Sequence, residues 1–180
     1  MRRMFRRQIR KTLAQEVPPV LQEANFTFDK GEYGRAAELY ERIAQGADAR
    51  GGPRAPILHL QAGRSRVYAG QTALGMTSLK RGLELFAQRG QWHKLQNMGS
   101  RVVSELKERG LTKEAAEIEA MLKGAAPSVP VVAETTPAKK PVLPTHCPSC
   151  GAPLRPDEVE WLDDVIAECG YCGSPVREDN

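Results

Sequence analysis

The chain has 180 residues, 41% of them apolar, 27% charged and 6% aromatic, which gives room for one ordinary domain and a small second one. No apolar run is long enough to span a bilayer, and no apolar segment follows the basic N-terminus as a secretory signal would require. The net charge of +4 is unevenly spread: residues 1–13 hold six basic side chains and no acid, whereas residues 147–180 hold two basic and eight acidic ones.

Met1, Phe5, Ile9 and Leu13 recur every four positions, which predicts an amphipathic helix over residues 1–17 that Pro18 and Pro19 stop or turn. Arg2, Arg3, Arg6, Arg7, Arg10 and Lys11 cover its flanks. One reading is a terminal helix laid on the body with its arginines solvated. The other is an anion-binding anchor for a nucleic-acid backbone or an anionic membrane surface.

Residues 18–123 carry a helical pattern that repeats. Gly31, Gly70 and Gly110 fall 39 and 40 residues apart, and each is followed five positions on by a small residue, Ala36, Gly75 or Ala115. A glycine at a helix C-terminus takes the left-handed conformation without strain, so the chain reverses within a few residues. Small residues (Ala24, Ala36, Gly63, Gly75, Ala115) mark where antiparallel helices approach closely. Phe28, Leu39, Tyr40, Ile43, Leu79, Leu83, Phe86, Val102, Leu106 and Leu122 fill the space between them. One such hairpin cannot bury its own apolar face, so neighbours must stack. Trp92 opens an apolar series and is expected as a core or loop-capping residue; His59 and His93 are isolated and expected on the surface or satisfied locally.

This pattern resembles the tetratricopeptide repeat family. Gly31-Glu32-Tyr33, Ala36 and Tyr40 fall at that family's offsets in the first unit, and Gly63, Gly70 and Leu79 in the second. The third unit departs from it at Val103 and Glu119, and the spacings exceed the family's period of about 34. The resemblance implies a scaffold that holds a peptide or protein in a groove lined by the first helix of each unit. By offset, that groove includes Leu21, Asn25, Asp29, Leu60, Arg64, Tyr68, Ser104 and Lys107, with Asn25 at a position that grips peptide backbone. A plain helical bundle is the alternative.

From residue 124 to 145 the composition changes to five prolines with alanine, valine and threonine and no aromatic residue, which predicts a disordered tether spanning up to about 70 Å. The zone after it, 146–180, contains all four cysteines: Cys147-Pro-Ser-Cys150-Gly and Cys169-Gly-Tyr-Cys172-Gly, with eighteen residues between Cys150 and Cys169. Two C-x-x-C pairs supply four thiolates from two tight turns, the pattern of one structural Zn2+ in a closed tetrahedral site. Glu158–Trp161 and Val165–Glu168 read as two short strands between the pairs. The segment resembles a zinc ribbon, although an unusually acidic one. A redox dithiol and a catalytic zinc are the competing readings. The duplicated pair and the missing βαβ context argue against the first, and the full set of four sulfurs against the second.

With only Arg155 and Arg177 as cations, the ribbon suits a protein partner better than nucleic acid, and Trp161 and Tyr171 are its expected contact patch. The acidic ribbon is also expected to dock on the basic N-terminal helix. No catalytic motif is recognisable. The sequence thus predicts a mainly α, non-enzymatic interaction scaffold of helical hairpins with a small β zinc ribbon on a flexible linker. With no spanning segment and no secretory signal, the chain is expected in a reducing cytoplasm, or peripheral at a membrane, where paired thiols serve metal rather than disulfides. The alternative is a nucleic-acid- or membrane-associated regulator working through the Arg-rich N-terminus.

Overall fold

Among the described residues, six helices arise from the apolar periodicity and the glycines that punctuate it: α1 (Pro19–Asp29), α2 (Tyr33–Ala49), α3 (Ala55–Tyr68), α4 (Thr72–Gln88), α5 (Trp92–Glu108) and α6 (Thr112–Ala125). The computed structural model describes residues 18–125, 142–155, 159–161 and 166–177. The expected N-terminal helix with its six basic side chains, its contact with the C-terminal segment, and most of the expected tether lie outside the described residues.

All five helix-to-helix connections use the same hydrogen-bonded cap. At the first, Gly31 N–H donates to Phe28 O (2.9 Å) and Glu32 N–H to Thr27 O (2.9 Å); Gly70 with Gln71 and Gly110 with Leu111 repeat the pattern. It recurs at Gly51 with Gly52 and at Gly90 with Gln91. The glycine sits in the left-handed region, with φ of 80° at Gly31, 77° at Gly70 and 75° at Gly110. After Gly31, the following residue accepts the first bond of the next helix, Ala36 N–H to Glu32 O. The helices therefore reverse in three residues, or five between α2 and α3, and pack each on the next.

Helix α3 lies at the centre, and ten of its fourteen residues are buried. Its sequence has no single apolar face because α2, α4 and the C-terminal module cover it from different sides. Small residues let α4 approach closely. A Cβ on Gly63 would meet Gly75 O at 2.8 Å, and one on Gly75 would meet Gly63 O at 2.8 Å.

Two apolar cores result. One joins Leu60 and Val67 of α3 to α4, α5 and α6 through Leu79, Leu83, Leu95, Leu106 and Ile118. The other joins Leu21, Ala24, Tyr40 and Leu58 to the cysteine-bearing module through Leu143, Ala152, Leu154 and Val176. In that module, β1 (Glu160–Trp161), β2 (Ile166–Glu168) and β3 (Pro175–Arg177) form an antiparallel sheet in that order, with Trp161 opposite Ala167 and Ala167 opposite Val176. The third strand has no counterpart in the sequence reading, since three residues are too short for alternation to register.

Three expectations change. Leu143, assigned to the tether, is only 8% exposed and belongs to the shared core, so the module begins before residue 146 and is seated on α1, α2 and α3. For Trp92, expected in the core or capping a loop, the core alternative falls, since it is 40% exposed and its Nε1 lies 4.0 Å from where a Cβ on Gly90 of the preceding turn would be. His59 is buried rather than superficial, since α3 is enclosed; its Nε2 lies 3.4 Å from an Asp48 carboxylate oxygen without forming a hydrogen bond. Among the described residues no helix is long and apolar enough to cross a membrane.

Candidate metal centre

Each C-x-x-C pair is held by the same pair of backbone bonds. Cys147 N–H donates to Ala152 O and Gly151 N–H to Cys147 O, both at 2.8 Å; Cys169 N–H donates to Ser174 O (3.0 Å) and Gly173 N–H to Cys169 O (2.7 Å). Gly151 and Gly173 close these turns with φ of 73° and 71°, where a side chain would be strained. The two turns are thus copies of one another, and each brings two sulfurs inward.

All four cysteines are free and buried, and their sulfurs lie within 4.8 Å of one another, positioned to hold a metal ion. Cys147 Sγ is 3.7 Å from Cys172 Sγ, and Cys150 Sγ is 3.9 Å from Cys169 Sγ. A disulfide would need about 2.05 Å. Tetrahedral coordination at a metal–sulfur distance of about 2.3 Å, the value for zinc, sets neighbouring sulfurs about 3.8 Å apart. The spacing fits a metal and not a crosslink. Hydrogen bonds among the thiols push the pKa values of Cys147 and Cys172 down and those of Cys150 and Cys169 up.

The module rests on side-chain amides of the helices. Asn25, 2% exposed, donates from Nδ2 to Cys150 O (2.6 Å) and accepts from the Tyr40 hydroxyl at Oδ1 (2.5 Å). Gln22 Nε2 donates to Ser149 O at 2.8 Å. Gln61 Nε2 donates to the Tyr171 hydroxyl. Burial pushes both the Tyr40 and Tyr171 pKa values up, so the hydroxyls keep their protons. Arg54, in the connection before α3, lies against the second turn: a side chain at Gly173 would collide with its guanidinium.

Behind Gln61 stands a partly buried ion pair. Arg64 Nε and Nη2 reach the two Glu105 oxygens at 2.8 and 2.6 Å, and Arg64 Nη1 donates to Gln61 Oε1 at 3.4 Å. Burial works against the Arg64 charge, but the facing carboxylate and nearby tyrosines more than offset it and its pKa is raised. The pair aims the Gln61 amide at Tyr171.

The candidate binding residues therefore separate. Asn25 engages polypeptide backbone, that of the chain's own module. Asp29 lies 3.6 Å from His146. Arg64 is neutralised by Glu105 and supports Gln61. Tyr68 packs edge-on to Phe28, tilted against Tyr33 and under the Arg109 guanidinium. Lys107 pairs with Glu119 of α6 at 2.6 Å and forms no part of this face. Tyr171 makes its contact inside the chain, because its 3% exposure leaves it no outer surface. Gln22, Gln61, Arg54 and Glu105 were not singled out from the sequence. The signal available for Gln22, Asn25 and Gln61 was three amides on two helix faces that an apolar partner would have filled with aliphatics.

Beside this contact lies a polar cavity of about 570 Å³ lined by Tyr68, Asn97, Arg101, Ser104 and Glu108 of the helices and Arg155 of the module. The chain matches no protein-family model, no curated protein and no solved structure.

Proposed function

We propose that the protein is a non-enzymatic polypeptide-binding scaffold, with tetratricopeptide-like hairpins as the binding body and a zinc ribbon, stapled by one structural Zn2+ on Cys147, Cys150, Cys169 and Cys172, as an accessory contact. The observation that carries this reading is the grip of Gln22 and Asn25 on two successive carbonyls, Ser149 O and Cys150 O. Side-chain amides on backbone recognise polypeptide irrespective of its side chains. The repeated hairpin cap, with its glycines at near-constant spacing, supports the repeat reading. The sulfur spacing supports zinc, and a closed four-thiolate shell leaves no open position for catalysis.

The cavity lined by Asn97, Arg101, Ser104 and Arg155 is polar, which suits a bound segment. A peptide array probed with the full chain tests the proposal. Peptides captured by the native chain should be lost, by about tenfold in affinity, in an Asn97→Ala/Ser104→Ala variant. Capture of the same peptides by both proteins with equal affinity would overturn it.

A further inference from the structure

The face of α1 and α3 that holds backbone is already filled, and the filler is the metal module itself. Gln22, Asn25 and Gln61 all bond to residues within two positions of a cysteine: Ser149, Cys150 and Tyr171. Leu21, Ala24, Leu58 and Ala62 share one apolar core with Cys147, Cys150, Cys169 and Cys172. The sheet has strands of only two or three residues, and so small a module has too little core to hold its shape without the metal. The turn carrying Ser149 and Cys150 is shaped by the very cysteines that would bind the ion.

We propose that the α1–α3 face is a metal-gated polypeptide site. The metal-loaded module closes the face in cis, and loss of the metal releases the module and opens it to an extended segment of another polypeptide. This rests on the scaffold reading for the incoming ligand, but the gate itself is a coupling between metal binding and docking. Such coupling is reciprocal: whatever factor metal adds to docking, docking adds to metal affinity. Asn25, which touches no sulfur, is therefore a positioning residue for the metal centre.

Hydrogen exchange on the full chain reads the gate, with zinc and after a chelator. Exchange in residues 19–29 and 55–68 should rise at least tenfold on metal removal, while residues 92–125 stay protected. Asn25→Asp, which keeps an acceptor for Tyr40 but loses the donor to Cys150 O, should raise the same exchange with zinc present. It should also bind zinc about tenfold more weakly in competition with a chromogenic chelator. If that variant does not fold, Tyr171→Phe serves from the module side, removing the acceptor for Gln61 and leaving the helices untouched.

Unchanged exchange in α1 and α3 after metal removal would overturn the proposal, as would wild-type zinc affinity in both variants. The peptide array separates this from the scaffold reading. Peptides bound equally by loaded and stripped chain would overturn the gate alone. Opening without capture of any peptide would support the coupling and retire the scaffold as its purpose.

Discussion

One methyl group added at Gly63 tests the close approach of α3 and α4 on which the helical body depends. A Cβ there would lie 2.6 Å from Leu79 Cγ, 2.8 Å from Gly75 O and 2.8 Å from Leu79 N. The leucine side chain can swing aside, but the two backbone atoms cannot, so α4 must retreat by about 0.6 Å to reach ordinary contact. Overpacking of this kind costs about 1–3 kcal/mol, against about 0.8–1.0 kcal/mol gained from the helix propensity of alanine. Gly63→Ala should therefore lose up to about 2 kcal/mol and gain nothing. Gly34 supplies the control: it is helical, and nothing lies within 4 Å of where its Cβ would be. Gly34→Ala should gain about 0.5–1 kcal/mol from reduced freedom of the unfolded chain. Urea titration followed by helical circular dichroism compares the two, provided the slopes agree. A Gly63→Ala protein as stable as Gly34→Ala would refute the packing argument.

Two other perturbations probe the buried polar groups. Glu105→Gln leaves the partly buried Arg64 guanidinium without its charge partner and should cost about 1.5–3 kcal/mol, whereas a joint Arg64→Met/Glu105→Leu change should recover most of the loss in urea titration. His59 has its pKa lowered below 6.5 by burial, which outweighs the attraction of Asp48, so the unfolded chain takes up that proton first. Asp48 is held below 3.8 chiefly by its hydrogen bond from Arg81. Stability should therefore be full above pH 6.5, decline as His59 protonates in the unfolded chain, and decline further below pH 3.8 as Asp48 is forced to protonate. His59→Gln should flatten the first decline and leave the second, as read from unfolding midpoints across pH.

What the sequence disclosed was whatever a local pattern can carry. The glycines at 31, 70 and 110 announce their turns because the left-handed cap needs them, and Gly63 with Gly75 announces a close contact because no side chain fits. The four cysteines disclose their cluster because each pair is a turn of five residues with its own hydrogen bonds. The docking of the module was not legible. Asn25 and Cys150 are 125 residues apart, and Gln61 and Tyr171 are 110 apart. An amide on a helix reads the same whether it faces water or a carbonyl. Tyr171 looked like an outer contact for the same reason, since its desolvation comes from a helix far away in the chain. Helix α3 hid its central place because burial on several sides erases the one-faced periodicity that marks a surface helix.

The central claim, a metal-held module with four thiolate ligands, is most directly tested by X-ray absorption at the zinc edge on full-length protein purified without added metal. One zinc per chain with four sulfur neighbours at about 2.3 Å is the expected result. A mixed nitrogen–sulfur or oxygen–sulfur shell would contradict the account, as would a zinc-free protein whose cysteines are joined in disulfides.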